Sequence, residues 1–533
     1  MMKKQFTTMM LTGTLLLAGC SGGSSAPTVS KEDALANTNA TGFPIVNEAI
    51  DLTFFTGKAT ANNDNFEERM VWSTYQDQTK MNINFEEVPF EGLSEKVNLT
   101  LASQDYPDAF YSARLNSKDL TTYGKQGVFI PLNDLLEEYA PNFSKLLDEN
   151  PDLRKGLTMA DGNIYAFPSF YDPEFTSLLI GTPIWVKQSF LDELGMEAPT
   201  TTEEFYQYLK AVKENDLVEG EEIAFSGTSL DNMIMQLRGS WGVGNRGLAH
   251  KHVDVDPETG ELRFTRTLDE YKEILTYMNK LYTEGLIDQD IFTQSGAEFN
   301  AKGAEGRIGA VLTGNPVTQM TQDDYVGLGA LEGPDGDSLY SHVKQSLMHI
   351  GAFAITDRNP YPEATVRWMD HFFGDEGATF YFMGKEGETY NVAEDGKLAY
   401  TENITNNPDG LSQDQALAEY FTWLGGSYPG IVKQKYFNGS EALPNAVETG
   451  DRIEPHLPEE IWNAFNYTDE ELQFMSSTAA DMETFIGENE AKFVTGEKPL
   501  SEWDSYVEQV ESMGLDQYME IENAAYERYT TAE

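Results

Sequence analysis

The sequence predicts an α/β protein in which strands and helices alternate along the chain. Short apolar runs with the character of buried strands, such as 52–56, are followed by helical patterns, such as 66–78. This spacing is typical of βαβ units, which build a mainly parallel sheet. A hydrophobic content of 40%, with 12% aromatic residues, predicts packed cores rather than disorder. The length allows two or more domains.

The first series of elements begins near residue 50. Its predicted strands are 52–56, 83–88 and 108–111, and its predicted helices are 66–78 and 93–103. In the first helix, Phe66 and Met70 are four residues apart, the spacing of one helical face. This order predicts one sheet that is built from the start of the chain.

A second series follows from residue 177. Its predicted strands are 177–180 and 183–186, a hairpin 253–264, and the late strands 307–312 and 349–355. Thr201 and Glu204 have the spacing of a capping box, and Thr267 precedes a second helical stripe. The last roughly 120 residues are predicted to be mostly helical and are strongly acidic.

The N-terminus has the order of a secretory signal. Lys3 and Lys4 precede the apolar run 9–17, which is too short to span a bilayer. The following Leu17-Ala-Gly-Cys20 resembles the lipobox of bacterial lipoproteins, which implies that Cys20 carries a diacylglycerol anchor. The alternative is an ordinary signal peptide whose cysteine is incidental. We expect residues 1–20 to be the signal, ending at the lipidated cysteine, and 21–46 to be a flexible tether.

Charge limits the partners of the chain. The net charge is −52, and removal of Lys3 and Lys4 with the signal takes it to −54. Such a field repels nucleic acid and anionic membrane, so contact with the membrane is expected through the lipid anchor only. Cys20 is the sole cysteine, so the mature body has no thiol for a disulfide or a thiolate metal site.

Motifs typical of enzymes and metal sites are incomplete or in the wrong context in this sequence. Gly242 to Gly247 satisfies G-x-G-x-x-G, but it follows a helical segment instead of a strand, so a loop is predicted. His250 with His252 lack the further ligands of a zinc site. The alternating acids 254–258 are followed by Thr259 where a calcium loop needs glycine, so solvated hairpin carboxylates are favoured over a calcium site. No G-x-S-x-G occurs. Neither a cofactor nor a metal is therefore expected, while a pair of catalytic carboxylates stays open.

Blocks along nearly the whole chain resemble one family. They are 127–136, 161–168, 186–195, 199–205, 309–316 and the C-terminal 503–529. Their order is similar to that of the extracellular solute-binding proteins of carbohydrate ABC importers, in the long Gram-positive lipoprotein branch. The resemblance implies a type II periplasmic-binding-protein-like fold, with two α/β lobes, a hinge and a cleft between the lobes. The implied lobe one is 47–168 plus 301–345. The implied lobe two is 169–300 plus 346–533, with the C-terminal helices partly returning to lobe one.

The resemblance also implies a function. The expected protein is a non-catalytic monomer on the extracytoplasmic face of the bacterial membrane, which captures an oligosaccharide. Its expected partners are the permease subunits of an ABC importer and their cytoplasmic ATPase. A secreted glycoside-active enzyme is one alternative, and a catalytic acid pair across a cleft would favour it. A lipoprotein adhesin is another, which repeats or a low-complexity stalk would favour.

Candidate ligand-binding residues were chosen for flat apolar faces or for polar groups near strand ends. They are Asn62, Asp64, Tyr111, Tyr171, Trp241, Asn315 and Trp423. Trp241 and Trp423 are candidates because each lies in or beside a glycine-rich loop. Neither has apolar neighbours at helical spacing that would predict a place in the core. The other tryptophans, 72, 185, 368, 462 and 503, are predicted to be core. The candidate loops supply few cations, Lys58, Arg114, Arg238 and Arg246, so a neutral oligosaccharide is expected. The alternative is an acidic oligosaccharide whose uronate pairs with Arg238 or Arg246.

Overall fold

The computed structural model describes residues 29–394, 396–411 and 413–531. The predicted signal, Cys20 and residues 21–28 of the expected tether lie outside the described residues. The rest of the expected tether is not a flexible linker, because residues 31–37 form a helix and Ile45 and Val46 are buried in the first core. The strands are β1 Ile50–Lys58, β2 Met81–Pro89, β3 Ala109–Leu115, β4 Ala166–Phe167, β5 Ser169–Tyr171, β6 Ile184–Lys187, β7 Ile223–Ser226, β8 Val253–Val255, β9 Leu262–Phe264, β10 Ile308–Leu312, β11 Tyr325–Gly327, β12 Gly351–Ile355, β13 Tyr390–Val392, β14 Leu398–Tyr400 and β15 Gly430–Val432.

Helices account for much of the remaining chain. They are α1 Lys31–Asn37, α2 Met70–Thr79, α3 Leu93–Ser103, α4 Ser117–Lys125, α5 Asn133–Tyr139, α6 Pro141–Glu149, α7 Pro151–Leu157, α8 Thr176–Leu179, α9 Gln188–Leu194, α10 Thr202–Glu214, α11 Leu230–Leu237, α12 Asp269–Thr283, α13 Gly296–Ala304, α14 Pro316–Met320, α15 Pro362–Asp370, α16 Asp375–Met383, α17 Glu402–Thr405, α18 Gln413–Ala418, α19 Pro444–Ile453, α20 Asp469–Phe474, α21 Ala480–Thr495, α22 Trp503–Ser512 and α23 Leu515–Thr531. In the described part of the chain, none of these helices is both long and apolar enough to span a membrane.

The first lobe is built on a sheet with the order β2-β1-β3-β12-β4. β1 is parallel to both β2 and β3, which confirms the βαβ units predicted at the start of the chain. β12 joins the sheet antiparallel, between β3 and β4. Trp72 and Trp368 stack in the core below the sheet, with ring centroids 5.3 Å apart.

The second lobe is built on a sheet with the order β11-β6-β10-β7. β10 is parallel to β7, whereas β6 is antiparallel to both β10 and β11, so this sheet is mixed. Its core includes residues of the C-terminal helices, among them Phe493 and Trp503. The predicted hairpin is present as the antiparallel pair β8 and β9.

The strand pairing corrects the expected lobe boundaries. Segment 301–345 was assigned to the first lobe, but its strand β10 pairs with β6 and β7 of the second sheet. Segment 346–533 was assigned to the second lobe, but its strand β12 pairs with β3 and β4 of the first sheet. Both strands are short apolar runs, and local pattern does not reveal which sheet such a run joins.

The C-terminal helices contact both lobes. α21 and α22 pack in the second core, while the Lys155 amino group of α7 lies 5.9 Å from the ring of Tyr529 in α23. Lys125 of α4 pairs with Asp469 at 2.7 Å. These contacts tie the C-terminal helices to the first lobe, in the manner that the family resemblance implied.

One predicted element of the second series is wrong. Residues 177–180 were predicted as a strand, but they lie in and after the one-turn helix α8. The Ser177 hydroxyl donates to the carbonyl of Glu441, so this turn is fixed by a distant loop. Four apolar residues do not distinguish a buried strand from a buried helical turn.

Candidate functional site

The two sheets each present an edge where polar loops collect. In the first lobe, β1 ends at Lys58 and β3 at Leu115, and the antiparallel β12 begins there at Gly351. In the second lobe, β7 and β10 end at the same edge where the antiparallel β6 begins. Ligands of open α/β sheets bind outside the carboxyl ends of the strands. These two edges therefore define the candidate site.

The segment 344–349 connects the two edges. His349 precedes β12 at the first edge. The side chain of Lys344 lies beside Gly181, where a Cβ atom would be 3.0 Å from Lys344 Cε, and Gly181 precedes β6 at the second edge. The five steps from the Cα atom of residue 344 to that of residue 349 span at most about 18 Å. The distance between the two edges is therefore no greater than the length of a short oligosaccharide.

Arg114 is held in a fixed position at the first edge. Its Nε donates to the hydroxyl of Ser427 at 2.8 Å, and its guanidinium carbon lies 3.7 Å from the ring centroid of Phe90. The residue is nevertheless exposed to solvent. The guanidinium is thus oriented by a hydrogen bond and a cation–π contact while part of it faces outward.

A bulge in β3 places Arg114 there. Between the pairs Gly351–Leu115 and Phe353–Tyr111, β3 advances four residues while β12 advances two. Ser112 and Arg114 take up the excess with φ angles of 49° and 55°, in the left-handed region. Each such non-glycine residue costs roughly 1–3 kcal/mol, and residues of this kind concentrate at functional sites. The bulge therefore turns Arg114 toward the edge at a cost in stability.

The loop 423–428 closes over this edge. Asn62 donates its amide to the carbonyl of Leu424 at 2.8 Å, and the Asn62 Oδ1 atom is buried with no hydrogen-bond partner in the described part of the chain. Gly425 has a φ of 85°, and a Cβ atom there would overlap that of Ala59. Ser427 Oγ also lies 3.5 Å from His349 Nε2. Asn62, Arg114, Ser427 and His349 thus form one polar cluster.

The second edge carries buried polar atoms that lack partners. Thr182 Oγ1, Gln236 Oε1 and His342 Nδ1 accept or donate no hydrogen bond within the described residues. Burial lowers the pKa of His342 to about 4, so the ring is neutral at pH 7. An unpaired buried polar group costs about 1–3 kcal/mol. A ligand that supplied these bonds would recover that free energy.

Glu441 lies close to Lys344 at the second edge. Burial lowers the pKa of the Lys344 ammonium, and the negative charge of Glu441 acts in the opposite direction. Burial also raises the pKa of the Tyr171 hydroxyl to about 12, with Glu441 adding to the shift. This part of the site therefore offers a cation, a carboxylate and a neutral phenol.

The structure brings some of the predicted residues to this site. Asn62 belongs to the polar cluster at the first edge, and Tyr171 is half-buried in β5, near Glu441. Asp64 is exposed and pairs with Lys58, beyond the end of β1. For these three residues, ligand binding stays a prediction.

The other four predicted residues make hydrogen bonds or packing contacts within the protein. Tyr111 is buried, and its hydroxyl lies 2.6 Å from that of Tyr381. Asn315 caps α14 and exchanges amide hydrogen bonds with Asn445 at 3.1 Å. Trp241 and Trp423 are 5% and 7% exposed and belong to the two cores, so the expectation that they lack packing partners is wrong. Their predicted contact with ligand is not supported by this geometry.

Sequence reasoning missed several residues of the site. They are Gln236, His342, Lys344, His349 and Ser427. Gln236, Lys344 and Ser427 lie far in sequence from the strand ends that they join, whereas His349 lies just before β12. None of the five belongs to a recognisable motif. The Gly425-Gly426 pair was the available signal, because it predicts a tight loop beside Ser427.

The glycine-rich loop 242–247 has a structural role. The Gly244 amide donates to Asp254 at 2.7 Å, and a Cβ atom on Gly244 would overlap the buried guanidinium of Arg238. Asp254 in turn pairs with Arg263 at 2.6 Å. In the described part of the chain, no three His, Cys, Asp or Glu side chains are arranged to hold a metal ion.

Comparison with known proteins agrees with this architecture. The family model for bacterial extracellular solute-binding proteins matches residues 60–379. The fructooligosaccharide ABC transporter substrate-binding protein FusA of Streptococcus pneumoniae is 27% identical over 91% of this chain and 92% of its own length. The polygalacturonan/rhamnogalacturonan-binding protein YtcQ of Bacillus subtilis is 22% identical over 83% of this chain and 84% of its own.

Solved structures share the fold. FusA in complex with kestose superposes with a TM-score of 0.72 at 24% identity, covering 91% of this chain and all of that one. An extracellular solute-binding protein from Bifidobacterium longum subsp. infantis gives a TM-score of 0.77 at 21% identity, covering 91% and 99%. The predicted two-lobe α/β fold is thereby confirmed.

Proposed function

The chain belongs to the bacterial extracellular solute-binding proteins, and we propose that it captures an oligosaccharide between its two lobes for an ABC importer. The observation that carries the proposal is the pair of polar edges joined by segment 344–349. Both edges hold polar atoms without partners among the described residues, Asn62 Oδ1 on one and Gln236 Oε1 on the other. Sugar hydroxyls donate and accept hydrogen bonds and so suit such atoms.

The oligosaccharide class is supported by the relatives. FusA and YtcQ are named for fructooligosaccharides and for polygalacturonan or rhamnogalacturonan, and both match most of this chain. The site offers fixed polar groups over a length of at most about 18 Å, which suits a short oligomer better than a single sugar. We propose that the protein releases this oligomer to the permease subunits of the importer, whose ATPase is cytoplasmic.

Capture follows from closure of the lobes. A ligand that bonds to both edges binds the closed form better than the open form, and only such a difference in affinity shifts the equilibrium toward closure. Hinge closure of two domains around a ligand is a known mode of conformational change. The proposed role of the crossing segments is to allow this motion.

We propose that the protein is not an enzyme. Of the carboxylates near the edges, Asp64 pairs with the Lys58 ammonium and its side chain is 78% exposed. Glu441 is fixed through its backbone, whose carbonyl accepts a hydrogen bond from the Ser177 hydroxyl. A glycosidase needs two carboxylates that flank a scissile bond at a defined separation, one of them protonated. Asp64, paired with Lys58, suits a binding role.

Calorimetry against a glycan panel tests the proposal. The Cys20→Ala protein, which lacks the proposed lipid, should bind at least one oligosaccharide with a 1:1 stoichiometry. After several hours, chromatography should recover that glycan uncut. Steady release of shorter products would favour the glycoside-active enzyme. Binding to insoluble polymer only, with no response to any soluble oligomer, would favour an adhesin.

The anchor is proposed from Cys20. Two acyl chains on this residue would give stable attachment to the extracytoplasmic face of the cell membrane. In the source bacterium, Cys20→Ala should move the protein from the membrane fraction to unprocessed precursor or released protein. Recovery of the variant in the detergent phase with a mass that matches acylation would contradict the assignment.

A further inference from the structure

We infer that the proposed oligosaccharide site selects a ligand carrying a uronate carboxylate, and that the Arg114 guanidinium binds it. The inference rests on the proposed function and narrows its substrate class. It departs from the sequence-based expectation of a neutral ligand, which rested on the strong negative charge of the chain and on the small number of cations near the expected site.

The Arg114 side chain has N–H donors that make no hydrogen bond within the described residues. A guanidinium carries five N–H donors in a planar fork. In Arg114, the N–H on Nε donates to Ser427 Oγ. In the described part of the chain, the two Nη atoms make no hydrogen bond and no ion pair. A carboxylate matches two parallel N–H donors, and such bidentate pairs are among the strongest hydrogen bonds in proteins.

The orientation of this fork is built into the fold. Phe90 supports the guanidinium from one side, and Ser427 holds its inner nitrogen. Ser112, Arg114 and Ser427 have left-handed backbone, with φ angles of 49°, 55° and 68°. Such strained non-glycine residues concentrate at functional sites. The arrangement therefore favours a preorganised receptor for an anion.

The other cations that the sequence offered near the site are already engaged. Lys58 pairs with Asp64 and lies 3.3 Å from Glu87. Arg246 pairs with Glu460 at 3.4 Å. Arg238 is buried and donates to backbone carbonyls of the glycine-rich loop and of Lys251. Arg114 is the only one of these four cations that is exposed and has no carboxylate partner among the described residues, in a chain with 88 acidic and 36 basic residues.

Lys344 supplies a second positive charge on the far side of the site. It has no carboxylate within ion-pair distance among the described residues, and it lies beside Gly181 at the second edge. His349, which contacts Ser427, is at most about 18 Å away. An acidic oligomer can thus place one carboxylate on Arg114 and extend its neutral hydroxyls toward the second edge.

The experiment compares matched ligands. Trimers of galacturonate, glucuronate, mannuronate and guluronate are titrated by calorimetry, each beside its fully methyl-esterified form, which removes the charge and keeps the ring. For at least one trimer, we expect the acid to bind about tenfold or more tightly than its ester. Arg114→Gln should abolish this difference, and Arg114→Lys should restore part of it, because lysine keeps the charge without the fork.

Arg358→Gln is the matched control, since Arg358 is also an exposed arginine over an aromatic ring, that of Tyr106, but lies beyond the opposite end of β12. It should keep the preference for the acid, and melting temperatures should show that all three variants fold. Equal affinity for acid and ester, an equal loss for both in Arg114→Gln, or binding of sulfated but not uronate sugars would overturn the inference. If only neutral oligosaccharides bind, the inference fails while the proposed function stands. If no oligosaccharide of any charge binds, the proposed function itself fails.

Discussion

Trp241 shows how a loop residue can be part of a core. The indole lies in a 3₁₀ turn after α11, yet it packs beside Tyr277 with ring centroids 5.4 Å apart and is 5% exposed. Leu328 and Leu331 of a distant segment belong to the same core. Its Nε1–H finds no hydrogen-bond acceptor in the described residues, so the residue contributes through packing.

This environment predicts the effect of two substitutions. Trp241→Ala should lower the free energy of unfolding by about 3–5 kcal/mol, as large-to-small changes in a core do. Trp241→Phe should cost much less, because it keeps a ring and removes the unpaired N–H. Denaturant titration measures both. If Trp241→Ala leaves stability unchanged and reduces ligand affinity, the earlier assignment of Trp241 to the cleft is restored.

Residue-level prediction from sequence worked where the packing partners lie on the same helix. Trp368 was assigned to the core from its spacing with Ala364 and Phe372, and it is fully buried. Trp241 and Trp423 were misjudged because their partners, such as Tyr277 and Phe437, come from other elements. Arg114 was noted only as a cation near a strand end. Its orientation depends on Phe90 and Ser427, which local pattern does not connect to it.

At the scale of elements, helix α23 is docked through a buried carboxyl. Glu522 is 1% exposed, and Tyr467 donates to it at 3.0 Å. Its other carboxyl oxygen lies 3.8 Å from His250 Nδ1. Burial raises the pKa of Glu522 to about 7, and the negative charge of Glu471 adds to the shift, whereas hydrogen bonds from Tyr467 and Tyr518 oppose it. Burial keeps His250 neutral, with a pKa of about 4.

These surroundings fix the sign of a pH effect. Folding raises the pKa of Glu522 from 4.5 to about 7. The contribution of this carboxyl to the free energy of unfolding is therefore greatest below about pH 4.5 and is lost as the pH rises through 7. Glu522→Gln keeps the neutral shape at every pH. The variant should therefore match the wild type near pH 4.5 and exceed it at pH 8, by on the order of 3 kcal/mol in unfolding free energy.

Thermal or denaturant unfolding at the two pH values measures this difference. Glu520→Gln is the matched control, because Glu520 is exposed on the same helix, and it should show the same small effect at both pH values. A Glu522→Gln protein that is less stable than the wild type at pH 8 would mean that an ionised Glu522 holds a protonated His250.

At the scale of the whole molecule, the chain crosses between the lobes at positions that the sequence did not reveal. β10 pairs in parallel with β7 although more than 80 residues separate them, and β12 returns to the first sheet between β3 and β4. The strands themselves were predicted, but their partners were exchanged, because strand order depends on packing across the sheet and not on local hydrophobic pattern. The crossings matter for function because segment 344–349 is one of them.

Closure of the lobes is the prediction that belongs to this scale. The open form can offer a ligand one edge, either the cluster of Arg114 and Ser427 or the unpaired atoms near Gly181, whereas the closed form offers both. The binding free energy should therefore be larger for the closed form, and ligand should shift the population toward it. Small-angle scattering of the Cys20→Ala protein with saturating ligand should show a smaller radius of gyration than the free protein. A sugar that calorimetry shows not to bind serves as the control and should leave the scattering unchanged. If a ligand binds tightly by calorimetry and the scattering profile stays that of the free protein, the lobes do not close on it, and a hinged mode of capture would have to be abandoned.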